Sequence, residues 1–102
     1  MVFKPSEQYD LVAAAKKYQE KANVRMFEKE DPKSALKFYN QAIRLLPNEE
    51  SLLAARSLCR YNLGDIQGAL QDMERNMALH PNSVSDKETE FLEELFALLK
   101  NK

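Results

Sequence analysis

The side chains that could do chemistry are few, with one cysteine, Cys59, and one histidine, His80. Cys59 lies between Arg56 and Arg60 in the sequence, and nearby positive charge can lower a thiol pKa. Its helical phase, however, matches Leu52, Ala55 and Leu63, which predicts a place in a buried core. His80 precedes Pro81 in a turn, has no serine or second ligand in a recognisable arrangement, and reads as a surface residue. One thiol and one imidazole cannot complete a tetrahedral zinc site unaided. No nucleophile motif, metal cluster or glycine-rich phosphate loop occurs, so neither catalysis nor a cofactor is expected. Arg56 and Arg60 are one helical turn apart on a shared face. They are expected either to bridge to acids such as Glu49 or Asp72 or to meet an acidic partner.

What remains is recognition, and composition narrows the partner. A chain of 102 residues, 44% hydrophobic and 30% charged, suits one compact domain. Fifteen basic residues face sixteen acidic ones, and the predicted pI of 5.9 gives no reason to expect nucleic acid. No stretch approaches the roughly 18 apolar residues that cross a bilayer. The start, "MVFKPSEQYD", lacks the apolar run of a signal peptide, and neither end carries a recognisable targeting tail. A lone cysteine excludes an internal disulfide framework. The expectation is a soluble, cytoplasmic protein with no membrane partner.

The elements that position any binding surface are helical, because apolar residues recur at three and four and only two glycines interrupt them. Five helices follow from the punctuation. Ser6 is expected to cap a first helix reaching Lys29, with an apolar line of Leu11, Ala15, Tyr18, Ala22 and Met26. Asp31 and Pro32 form an N-cap and first-turn pair for a second helix to about Leu46. Pro47 and Asn48 should end it and cap a third helix, which stops at Leu63 before a left-handed Gly64. Asp65 starts a fourth helix that ends before Pro81, and "SDKE", Ser85 to Glu88, is a capping box for a fifth running to about Lys100.

The stretch "ALKFYNQAIRLLPN" (Ala35 to Asn48) is matched 34 residues later by "ALQDMERNMALHPN" (Ala69 to Asn82). Ala35, Tyr39, Ala42, Leu45 and Pro47 in the first motif, and Gly64, Ala69, Met73, Leu79 and Pro81 in the second, resemble the tetratricopeptide repeat family. The resemblance implies an all-α fold of antiparallel helical hairpins in a short right-handed superhelical array. It divides a single domain over 1–102 into motifs at 16–49 and 50–83, with a capping helix at 86–100. Asn76 departs from the pattern, standing where alanine is usual.

Family members usually hold peptides on the inner surface lined by the first helix of each motif. With one extra residue admitted in the turn "FEKEDPKSA", that surface would display Lys16, Gln19, Asn23 and Met26 from the first helix. Ser51, Ala54, Leu58, Tyr61 and Asn62 would come from the third. "QEKAN", Gln19 to Asn23, looks like the segment of chaperone co-factors in which a lysine and an asparagine grip a C-terminal carboxylate. Here Gln19 replaces that lysine, Ala55 replaces the second clamp asparagine, and the third motif is missing. The resemblance thus implies an adaptor or scaffold that binds an amphipathic helix or extended segment of another protein, with no carboxylate clamp. A cover of Leu58 and Tyr61 by the protein's own fifth helix is an equal expectation. The fifth helix also carries Phe91, Leu92, Leu95 and Phe96, whose apolar face must be buried either within the chain or by self-association in a structural assembly.

Overall fold

The computed structural model describes residues 5–101. Five helices follow one another: α1 (Pro5–Asn23), α2 (Pro32–Leu45), α3 (Glu50–Asn62), α4 (Ile66–Leu79) and α5 (Asp86–Lys100). A single π-helical turn, Val24–Glu28, continues α1, and a short 3₁₀ turn, Pro81–Ser83, leads into α5. Each helix packs on the next in chain order, α1 on α2 through to α4 on α5. The result is an array 53 Å long and 21 Å thick. Its radius of gyration of 14.8 Å exceeds the roughly 13 Å of a spherical chain of this length, as stacking in one direction requires.

Local chemistry sets most boundaries. The Asp31 carboxylate accepts from the Ser34 backbone N–H at 3.2 Å, Asp65 from Gly68 at 3.0 Å, and the Ser85 hydroxyl from Glu88 at 3.2 Å. Each satisfies an orphan donor of a helix start. Gly64 has φ +83° after α3, a conformation that a side chain would strain. Two expected caps are corrected. The backbone is already helical at Ser6, so that residue lies within α1. The residue ahead of α3 is Glu49, with no side-chain cap. Asn48 instead accepts from Arg75 at 2.9 Å, and its carbonyl lies 2.8 Å from His80 Nε2. His80 is therefore a half-buried tie between the α2–α3 turn and the end of α4.

The extra residue of the first motif is taken up by the π turn. Lys29 N–H donates to the Val24 carbonyl at 3.0 Å and Asp31 N–H to Arg25 at 2.7 Å. Glu30 then reverses the chain at φ +49°. The widened turn explains a register difference: Ala35 and Ala69 are 34 apart, but the buried small residues facing them, Ala22 and Ser57, are 35 apart.

The core divides in two. Ala15, Ala22, Ala35, Tyr39, Ala42, Leu52, Leu53 and Cys59 fill the space between α1, α2 and α3, all at 1% exposure or less. The alanines let helix axes approach, and larger residues there would cost about 1 to 3 kcal/mol. A second cluster joins Ala69, Leu70 and Met73 of α4 to Leu95 of α5. Leu11, expected in the core line, is 45% exposed, because α1 overhangs the shorter α2 at its start. Cys59 is fully buried, and burial pushes its thiol up to about 11, against the smaller opposing pull of Arg60. No described helix is long and apolar enough to cross a membrane.

Candidate protein-binding surface

One hydrogen bond links α1 to α3 across the two hairpins. Gln19 Nε2 donates to Ser51 Oγ at 3.1 Å, across 32 residues of sequence. Lys16 and Ser51 are exposed beside that bond, and Ala54 is half-buried. Asn23 is half-buried, and its Oδ1 accepts from the Tyr39 hydroxyl at 2.6 Å. Burial holds that phenol up near 12, so it stays a donor at neutral pH. The bond fixes the Asn23 amide and leaves its Nδ2 donors uncommitted among the described residues.

Apolar side chains interrupt this polar strip. Leu58 is 38% exposed, 35 residues after Asn23. Phe27, four residues beyond Asn23 in the π turn, is 64% exposed, the largest exposure among the large apolar side chains described. Asn62 is exposed at the matching place on α3. Phe27 was missing from the expected set, although the 35-residue offset pairs it with Asn62.

Two expected surface residues are corrected. Met26 is only 8% exposed and belongs to the first core cluster, because it follows Ala15 and Ala22 on the buried stripe. Tyr61 is covered by α5: its ring meets Phe91 edge-on at 5.4 Å, and its hydroxyl donates to Glu94 Oε1 at 2.7 Å. That hydrogen bond, with the Glu94 charge and some burial, holds the Tyr61 phenol above its ordinary value. The cover stops short of Leu58. On α5 itself Leu95 is fully buried and Phe91 and Leu92 are half-buried against the second cluster, leaving Phe96 50% exposed.

Arg56 and Arg60 do not face outward. Arg56 grips Asp72 with two bonds, Nη2 to Oδ1 at 2.7 Å and Nε to Oδ2 at 2.9 Å, and reaches Asn40 at 3.1 Å. Arg60 adds a contact to Asp72 Oδ2 at 3.1 Å. The Asp72 side chain is only 4% exposed, so these bonds are worth more than surface pairs, which contribute about 0 to 1 kcal/mol.

A cleft of about 510 Å³ lies elsewhere, lined by α1, the π turn and Phe38 of α2, with no residue of α3 or α4 in its wall. Lys17, Lys21, Arg25, Lys29 and Glu20 rim it, over Val24 and Phe38. The runs "KKYQEK" and "EKEDPK" read as solvated helix face and turn. With Arg25 between them, they place a basic residue at every fourth position from Lys17 to Lys29.

No family model matches the chain. Over 56 residues it is 43% identical to tetratricopeptide repeat protein 36 of Mus musculus, covering 55% of this chain and 30% of that protein. Over 49 residues it is 45% identical to the protein of the same name from Bos taurus, covering 48% and 26%. The fold is a tetratricopeptide-like helical array. The chain spans less than a third of the length of the curated relatives it matches. In this array the clamp-like pattern has a structural explanation. Gln19 is engaged by Ser51 and Asn23 by Tyr39, so both members of "QEKAN" brace helices.

Proposed function

We propose that the protein is an interaction module that holds a short segment of another protein on the face shared by α1 and α3, without chemistry of its own. The observation that carries this reading is the exposure of Phe27 and Leu58, 64% and 38%, beside the Gln19–Ser51 bond and the Asn23 amide. Apolar anchors next to oriented amide groups suit a segment with one or two bulky apolar side chains and a backbone that seeks hydrogen bonds. A highly charged tail finds only Lys16 there. Both amide side chains are held by partners on neighbouring helices, so little ordering remains to be done on binding.

The test is a peptide array probed with the wild type and with a Phe27→Asp/Leu58→Asp variant, alongside thermal melts of both. Both side chains are exposed, so the melt should be unchanged while captured peptides are lost. Equal capture by a folded variant would remove the α1–α3 face from consideration.

A further inference from the structure

We propose that the cleft on the outer side of α1 and α2 is a second docking site, built for an acidic amphipathic helix of a partner protein. One bulky apolar side chain of that helix would rest on Val24 and Phe38, with carboxylates set against Lys21 and Arg25.

The second hairpin shows what this place in the repeat requires. Arg56 and Arg60 follow Lys21 and Arg25 by 35 residues, and Asp72 follows Phe38 by 34, the same offsets that relate the two cores. In the second hairpin the cations are neutralised from within, by Asp72 at 2.7 and 3.1 Å. A neighbouring helix also lies over them, since Asn40 of α2 accepts from Arg56. In the first hairpin a phenyl ring stands where that carboxylate would be, with Lys21 Nζ 5.9 Å from its centroid. A cation beside a half-buried ring is attracted to its face but keeps its full ammonium charge.

The first hairpin therefore has the cations of the second without their counterion. Lys17, Lys21, Arg25 and Lys29 recur every four residues, and none forms an ion pair among the described residues. One acid, Glu20, shares the rim. Four cations against one acid call for carboxylates, and the 40% exposed Val24 beside Phe38 calls for an apolar anchor. The occupant should be a helix because a helix, α2, fills the equivalent place against α3, where its Asn40 meets Arg56. A volume of about 510 Å³ falls in the usual range of ligand-binding clefts and leaves room for one bulky side chain.

Fluorescence anisotropy tests this with a labelled helical peptide carrying glutamate at every fourth position around one leucine, and with its lysine-for-glutamate counterpart. The acidic peptide should bind saturably and more weakly as salt rises. A Lys21→Glu/Arg25→Glu variant should bind it tenfold or more weakly and gain affinity for the lysine peptide. Leu58→Asp should bind the acidic peptide like the wild type, which separates this site from the α1–α3 face. Both reversed residues are exposed, so melting temperature should not change; should the double variant fail to fold, Val24→Asp replaces it. No saturable binding of the acidic peptide, or equal binding by a folded charge-reversed variant, would overturn the proposal. Self-association of the protein alone that disappears on charge reversal would assign the cleft to a second copy and overturn it equally.

Discussion

The two hairpins use one plan with opposite interiors. Between α1, α2 and α3 the fully buried side chains are apolar but for the Tyr39 hydroxyl and the Cys59 thiol, which donate to Asn23 Oδ1 and to the Pro32 carbonyl. Between α3 and α4 three polar side chains are buried: Ser57, Asp72 and Asn76. Ser57 donates to the Ala69 carbonyl at 2.7 Å, and Asp72 is held by two arginines. Asn76 stands where the first hairpin has the fully buried Ala42, and its Oδ1 has no partner among the described residues. The comparison teaches that a repeat can exchange an apolar contact for an ionic one at the same position, Phe38 for Asp72. The exchange decides where charge is left facing outward.

Breaking the ionic side should have the largest effect. Asp72→Ala leaves the half-buried Arg56 without a counterion and Arg60 with only Asp65 at 3.9 Å, which should lower stability by about 3 kcal/mol, read as a fall in urea midpoint. The apolar side is more sensitive to alkali. The folded thiol of Cys59 and phenol of Tyr39 titrate near 11 and 12, above their ordinary values of 9.0 and 10.0. The unfolded chain therefore gives up these protons first, and the stability they contribute is intact below pH 9 and lost as pH rises through the folded values. A pH series of thermal melts should show this decline, and Cys59→Ala should remove its earlier part.

A smaller change sharpens the contrast from the other direction. Asn76→Ala copies the first hairpin into the second and removes an unsatisfied buried oxygen. It should be neutral or stabilising by up to about 1 kcal/mol in urea unfolding, where most buried truncations destabilise. Smallest is Tyr61→Phe, which deletes the solvent-exposed bond to Glu94 at the α5 edge and should barely move the urea midpoint, with the edge-on contact to Phe91 kept.

Much of this was legible in the sequence where the signal is local. Asp31, Asp65, Ser85 and Gly64 act within three or four residues of themselves, so composition and position reveal them. The burial of Cys59 followed from helical phase, and Asp72 was a nameable partner for Arg56 and Arg60. Other features depend on which surfaces meet. Asn48 looked like a cap but is claimed by Arg75 and His80, 27 and 32 residues away. Met26 and Phe27 are adjacent in sequence, and the π turn sends one inward and the other outward. The basic cleft stayed hidden because nothing in "KKYQEK" says that no acid from α2 stands opposite; that follows only once Phe38 is seen to take the place of Asp72. Within the candidate face, Tyr61 was lost to α5 and Leu58 was kept, a distinction set by where α5 crosses.

The central claim is that equivalent cation pairs are structural in the second hairpin and outward-facing in the first. Urea unfolding of Arg56→Ala/Arg60→Ala beside Lys21→Ala/Arg25→Ala tests it most directly. The account predicts a loss of several kcal/mol for the first variant, from the counterion stripped off buried Asp72, and a midpoint within about 0.5 kcal/mol of wild type for the second. Equal losses in the two variants would contradict it.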